Sequence, residues 1–477
     1  MKNKPNWGVI GLGVMGTGLS RNFAKKGIHL ALYNRHIEGV EENIAEKHCQ
    51  KYPELETALP YEDLSLFIHA VEIPRKILLM LPAGVVIDSV LNQLTPLLSN
   101  GDIIIDGGNS HFEDTEKRVI EFAGIGIYFL GMGVSGGEEG ALNGPSLMLG
   151  GDKHAYSLVS KELEIIAAKN SNGTPCCAYL GSGGAGHFVK MIHNGIEYAE
   201  MQLLAEVFEL TQADPKHDLI SIKKIFSKWQ KTSSESYLLK VTLSVLNYTK
   251  KGHPFINLIK DEASNKGTGA WATASGAKLG NANSMMAAAL YARFTSSDKV
   301  TREAMAKHFS KIKTNHAISL DALKKAYDVS RLINHHQGFE MIREASLIFG
   351  WKINLSSVAL VWSEGCILKS TLMFSLIDVF KSNKKILEFS PFIREINSGM
   401  QAWEETLDSG IKHRIPLGCF SSAWNYFLAI TQKQSNANLI QAQRDYFGAH
   451  GFKRTDIKNE VLHHGPWSSK KINCNKG

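Results

Sequence analysis

The stretch Trp7-Gly8-Val9-Ile10-Gly11-Leu12-Gly13-Val14-Met15-Gly16 decides how the first third of this chain folds. The first four residues read as a short buried strand. Glycines follow at G-x-G-x-x-G spacing, and a helical pattern then runs to about residue 26. Gly27 stops the helix, and residues 28–33 read as a second strand. Strand, glycine turn, helix and strand together make a βαβ unit. Glycines in its first turn let the backbone approach a pyrophosphate, and the helix N-terminus favours that negative charge. Gly11, Leu12, Gly13, Val14, Met15 and Gly16 are therefore the expected cradle of a dinucleotide.

The end of the second strand selects the nicotinamide cofactor. A carboxylate there would bind the ribose 2′-hydroxyl of NAD. The residues present are Asn34, Arg35 and His36. None is acidic, and Arg35 can pair with a 2′-phosphate. The expected cofactor is NADP.

The αβ alternation continues. Residues 76–81, 102–106 and 127–130 read as buried strands. They end in Pro82-Ala83-Gly84, in Gly107-Gly108-Asn109-Ser110 and in Gly131-Met132-Gly133-Val134-Ser135-Gly136-Gly137. Ligands of parallel sheets sit beyond the carboxyl ends of the strands, which makes Asn109 and Ser135 candidate contacts.

From about Gly186 the strand signals fade. Helical periodicity covers residues 187–212, 219–230, 234–249, 282–310, 317–349 and 365–382. Breaks fall near Lys251-Gly252-His253-Pro254 and at Ser390-Pro391. Within the first helix Lys190, His193, Asn194 and Glu197 stand at i, i+3, i+4 and i+7, which places an amine, an imidazole, an amide and a carboxylate on one face. Such a lysine and glutamate can divide proton transfers between two atoms of one substrate. The same spacing also describes a solvated polar face; the glycine run before the helix and the dinucleotide fingerprint favour chemistry. After Gln432 the chain turns polar, then reads Leu439-Ile440-Gln441-Ala442-Gln443-Arg444-Asp445-Tyr446-Phe447-Gly448-Ala449-His450. This tail has too little apolar content to fold alone; disorder or docking on a partner subunit are its two readings.

Composition bounds the function. With 477 residues the chain can hold two or three domains, and its 44% hydrophobic and 21% charged residues are ordinary for a globular protein. A net charge of +7 suits small anionic ligands, and the absence of a dense basic block with interleaved aromatics argues against nucleic acid. The six cysteines form no C-x-x-C pair and no zinc-spaced cluster, so a reduced, cytoplasmic chain is expected. No apolar run of about 18 residues points to a membrane span.

Taken together, residues 103–110, 133–140, 186–198, the run Asn265-Lys266-Gly267-Thr268-Gly269 and residues 441–450 resemble, in the same order, the motifs of the decarboxylating 6-phosphogluconate dehydrogenases. The resemblance implies an α/β Rossmann-like N-terminal domain (1–183), a large all-α domain for substrate and dimer contacts (184–432), and an extended C-terminal tail (433–477) reaching the partner of a homodimer. It implies that Lys190 takes the proton of the carbon-3 hydroxyl while hydride passes to NADP, and that Glu197 protonates carbon 1 after CO₂ leaves. Asn109, Ser135, Gly136, Gly137, His193 and Asn194 correspond to substrate-positioning residues. Tyr198, Lys266, Thr268 and Arg293 correspond to the phosphate site, and Arg444 and His450 to tail residues entering the partner's active site. Leu81, Pro82, Ala83 and Asn109 would lie near the cofactor. No metal is implied.

Free lysine titrates near about 10.4, so a base near pH 7.5 requires a shift of roughly 3 units, or about 4 kcal/mol. Burial with neighbouring cations is the expected source. The chain departs from the family at Pro82, Leu149, Gly183, Ala270, His335, His336 and His36, none of them a proton-transfer position. The alternatives are another β-hydroxyacid dehydrogenase without decarboxylation, or a non-catalytic nucleotide-binding homologue.

Overall fold

In the computed structural model, which describes residues 4–264, 267–309, 314, 316–458 and 460–467, eight strands form one sheet. They are β1 (Trp7–Ile10), β2 (Leu30–Tyr33), β3 (Leu59–Tyr61), β4 (Lys76–Leu79), β5 (Ile103–Asp106), β6 (Tyr128–Ser135), β7 (Ser146–Gly151) and β8 (Cys177–Gly181), in the order β3-β2-β1-β4-β5-β6-β7-β8. Every neighbouring pair is parallel except β6 and β7. The expected Rossmann-like α/β architecture, followed by a helical half, is what forms. Continuous apolar runs make the central strands because helices cover both faces of the sheet. Ile103 and Ile105 pack into one apolar layer with Trp7, Val9 and Leu78, while Ile104 packs into the other with Ile77 and Leu79. Strand order reverses between β1 and β4, where a crevice for a ligand opens beside the first glycine turn.

The strands differ from their expected limits in instructive ways. β2 starts at Leu30, because residues 28 and 29 still belong to the turn that closes the first helix, with Ile28 N–H donating to Phe23 O at 3.1 Å. β6 runs on to Ser135, carrying the glycine-rich segment inside the sheet rather than in a loop.

From Ala185 the chain is helical, beginning with a 29-residue helix, Ala185–Ala213. Further helices include Leu219–Trp229, Tyr237–Asn247, Thr268–Leu279, Ser284–Ser297, Lys299–Ala306, Leu320–Ile348, Leu355–Val361, Thr371–Lys381, Ser390–His413 and Gly418–Thr431. The expected single helix over 282–310 is two, because the Asp298 side chain accepts from Thr301 N–H and caps a new start. The expected helix over 365–382 begins at Thr371, where Ser370 caps it. Ser390-Pro391 is a helix start, a position where proline is tolerated. Among the described residues no helix is long and apolar enough to cross a membrane.

Two compact units result, Met1–Ala423 and Trp424–Gly477. The second is organised by a helix, Ala437–Gly448, and by Asp445 at its end. The Asp445 carboxylate accepts from Gly451 N–H at 2.9 Å, Gly465 N–H at 2.9 Å and Trp467 Nε1–H at 2.8 Å, and pairs with His464 at 2.6 Å. Those hydrogen bonds, the one from Gly465 foremost, hold its carboxyl well below the usual range.

Candidate active site

Backbone packs directly on backbone where the long helix meets the sheet. An added Cβ at Gly186 would lie 2.6 Å from Gly131 O and 2.5 Å from Met148 O, so only glycine lets the helix seat there. One turn later Lys190 crosses β6 at Gly133, where an added Cβ would fall 2.4 Å from Lys190 Cβ. The lysine is consequently buried, 8% exposed. Burial pushes its pKa below the usual lysine range, against the opposing pull of Glu197.

His193 links the members of this face. Its Nδ1 lies 3.4 Å from Lys190 Nζ, 3.2 Å from Asn194 Oδ1 and 3.7 Å from a Glu197 oxygen. Its Nε2 lies 3.1 Å from Ser135 Oγ and 2.9 Å from Cys366 Sγ. Burial, with the Lys190 charge beside it, holds the imidazole well below its usual pKa, so the ring is neutral and donates from one nitrogen only. Burial also pushes the Cys366 thiol up to about 12 and keeps it protonated. Asn194 Oδ1, which can only accept, faces Nδ1, and this assigns the ring proton to that nitrogen. Burial raises the Glu197 carboxyl above its usual range despite Lys190 and Arg293. Lysine and glutamate are thus moved toward their neutral forms together.

Beyond Glu197 two positive groups, a guanidinium and a helix N-terminus, meet at Tyr198. The Arg293 guanidinium stacks 3.5 Å above the Tyr198 ring. Thr268 opens the helix Thr268–Leu279, whose N-terminal amide groups favour negative charge. Gly269 lets that helix end lie on Tyr198: an added Cβ would come 2.4 Å from the ring. Lys266 lies outside the described residues.

The turn after β5 presents Asn109, exposed, on a frame in which Asp106 accepts from Gly108 N–H at 3.0 Å and from Ser110 Oγ–H at 2.6 Å. Gly136 and Gly137, both at positive φ, turn the chain from β6 into a short helix. Arg444 and His450 belong to the second unit, exposed there; Arg444 donates to Gln441 Oε1 at 3.1 Å.

The residues at the first turn fit a dinucleotide. Gly11 has φ +92, and an added Cβ at Gly16 would fall 1.9 Å from Gly11 O, while nothing lies within 4 Å of one at Gly13. The turn is closed on its inner side and open outward, toward the place a pyrophosphate would take. Val14 is exposed and Met15 half-buried. Leu81 approaches Gly11, with Pro82 exposed and Ala83 half-buried beside it. Asn34 Oδ1 accepts from Leu12 N–H at 3.1 Å, tying the end of β2 to the glycine turn. Arg35 is exposed, and His36 pairs with Glu62 at 3.2 Å.

One contact escaped the sequence, and one departure from the family gains its reason. Cys366 reaches His193 from 173 positions away, a separation no local pattern encodes. Gly183, unusual before this helix, is explained by Glu116: its carboxylate accepts from Gly184 N–H at 2.7 Å and fills the place a side chain at 183 would take.

Residues 6–181 match the family profile described as the NAD binding domain of 6-phosphogluconate dehydrogenase, and residues 186–467 match that of its C-terminal domain. The chain is 38% identical over 478 residues to the decarboxylating 6-phosphogluconate dehydrogenase of Haemophilus influenzae, covering 98% of each chain. It is 39% identical over 475 residues to that of Salmonella typhimurium, covering 98% of this chain and 99% of the other. The 6-phosphogluconate dehydrogenase of Plasmodium falciparum, solved in apo form and in complexes with NADP⁺ and with 6-phosphogluconate, superposes with a TM-score of 0.91 at 33% identity, covering 97% of this chain and 100% of that one.

Proposed function

This chain belongs to the 6-phosphogluconate dehydrogenase family, and we propose on that premise how its residues carry out the NADP-dependent oxidative decarboxylation of 6-phosphogluconate to ribulose 5-phosphate and CO₂. The observation that carries the assignment of roles is the shared face of Lys190 and Glu197, one pKa lowered and the other raised by the same burial. NADP, bound at Gly11–Gly16 with Arg35 toward its 2′-phosphate, supplies the hydride acceptor.

Neutral Lys190 takes the proton of the carbon-3 hydroxyl as hydride leaves carbon 3. The resulting ammonium then polarises the new carbonyl and returns its proton to that oxygen as the β-carboxylate leaves as CO₂, which gives the enediol and restores the neutral amine. Protonated Glu197 gives its proton to carbon 1 of the enediol, and Lys190 removes the proton of the hydroxyl to restore a ketone. His193, held by Ser135 and Cys366, keeps Asn194 and Lys190 in register and, with Asn109, Gly136 and Gly137, positions the sugar acid. Tyr198, Thr268, Arg293 and Lys266 take the phosphate.

The division into domains 1–183, 184–432 and 433–477 accompanies this reading. So does a homodimer in which Arg444 and His450 complete the partner's site. Exposed Leu439, Ile440 and Phe447 along the helix of the second unit support docking on a second copy. Thiols at the five described cysteines support a reducing compartment, the cytoplasm.

The test is direct. Purified protein with 6-phosphogluconate and NADP should raise the absorbance of reduced cofactor and release one CO₂ per hydride. Turnover of 3-hydroxyisobutyrate instead, or hydride transfer without CO₂, would overturn the proposal.

A further inference from the structure

The residue at the mouth of the cofactor cleft that no motif singled out is Glu41. Its carboxylate forms a fork-to-fork pair with Arg35: Nη2–H to Oε1 at 2.9 Å and Nε–H to Oε2 at 3.2 Å. Asn34 Nδ2–H donates to the same Oε2 at 2.9 Å. A tight turn fixes the approach, with Ile37 N–H donating to Glu41 O at 2.9 Å and Glu41 N–H to Ile37 O at 2.8 Å. The pair occupies the side edge of the guanidinium, Nε–H and one Nη2–H, so a 2′-phosphate reaching Arg35 must either displace Glu41 from that edge or take the remaining Nη1/Nη2 edge beside the carboxylate.

We propose that Glu41 is a specificity-determining residue: its carboxylate competes with the 2′-phosphate of the cofactor for Arg35, and so narrows the discrimination between NADP and NAD. The inference rests on the reading of Arg35 as the 2′-phosphate partner. To take NADP, either the Arg35–Glu41 pair opens or two negative groups share one arginine, and both cost affinity. To take NAD it can stay closed, and a carboxylate beside the adenosine ribose is the group that accepts from a free 2′-hydroxyl. The chain therefore holds both determinants, one per cofactor, bonded to each other. Asn34 extends the coupling, since its amide bonds Glu41 on one side and Leu12 N–H of the glycine turn on the other.

An exposed bidentate pair contributes on the order of a factor of five when broken. The experiment is calorimetric binding of NADP and of NAD, without substrate, to the full-length protein and to Glu41→Gln, Arg35→Gln, the double variant and Glu42→Gln. Glu41→Gln should tighten NADP about fivefold and leave NAD within twofold. In the Arg35→Gln background the same change should do nothing. Glu42→Gln, which removes an equal charge that bonds Gly39 N–H and not Arg35, should also do nothing. An unchanged or weaker NADP affinity in Glu41→Gln overturns the inference, as does equal tightening of both cofactors. If Arg35→Gln leaves NADP affinity unchanged, the underlying reading of Arg35 fails, and the inference with it.

Discussion

Gly133 has no side chain at the point where Lys190 crosses β6, and an added Cβ there would lie 2.4 Å from Lys190 Cβ and 3.0 Å from its Cγ. Backbone on both sides is fixed, by the β6–β7 ladder and by the seating of Gly186. A methyl group must therefore displace the lysine stem. Misplacement of a reacting group by about 1 Å costs around a hundredfold in rate. We expect Gly133→Ala to lower kcat by about that factor with NADP affinity within threefold of wild type, read by steady-state kinetics and calorimetry on the same sample. A kcat within threefold of wild type would show that Lys190 needs no such clearance.

Lys190 must be neutral to take a proton, so dehydrogenation is lost as pH falls through its pKa. Glu197 must be protonated to give one, so the carbon-1 step is lost as pH rises through its own. Burial moves these limits inward from ordinary values of 10.5 and 4.5. The two groups interact, and the limbs of the pH profile belong to the pair. Glu197 raises the Lys190 pKa, so Glu197→Gln should shift the acid limb of hydride transfer to lower pH, measured in single-turnover absorbance traces. Lys190→Met should abolish hydride transfer while NADP still binds; turnover within tenfold of wild type would remove Lys190 from the role of base.

At carbon 1 the same glutamate has a separate signature. Glu197→Gln should slow tritium exchange from water into carbon 1 of ribulose 5-phosphate by about a hundredfold, the scale of general acid catalysis. Exchange at the wild-type rate would assign that proton to another group.

How much of this could be read in advance depends on whether the signal is local. β1, β4 and β5 were legible because strands buried on both faces are uninterrupted apolar runs. β3 was not: Leu59-Pro60-Tyr61 is an edge strand, where a proline is tolerated and the apolar run is lost. β7 and β8 went unassigned because glycines interrupt their apolar runs; Gly150 and Gly181 sit where the start of the long helix packs against the sheet. Lys190, His193, Asn194 and Glu197 were legible as a group because helical spacing is a short-range code. The downward shift of Lys190 was expected from burial; that the same burial raises Glu197 was not, because how deeply that face is covered is set by tertiary packing such as the crossing of Lys190 over Gly133. Glu41 is illegible for a related reason: a cofactor-selecting carboxylate is encoded at the strand end, whereas here the turn over 37–41 folds one back from six residues on.

A second buried carboxylate predicts how stability responds to pH. Glu206, 1% exposed, accepts from Cys419 N–H at 2.9 Å and Phe420 N–H at 3.1 Å, at the start of the helix Gly418–Thr431. Burial raises its pKa to about 7 in spite of those bonds. The folded state thus holds a proton that the unfolded chain, titrating near 4.5, releases. Between these two values the native state binds more protons, and the contribution of Glu206 to stability falls as pH rises. It is fully present below about pH 4.5 and lost through pH 7, a change on the order of 3 kcal/mol. Glu206→Gln keeps an acceptor for one of the two amides and removes the titration. Denaturant unfolding at pH 5, 6 and 7 should therefore show a shallower decline in the variant than in wild type, with the two closest at pH 5, where the amide matches the protonated carboxyl. Parallel curves would mean that Glu206 stays ionised throughout and that its two backbone bonds outweigh burial.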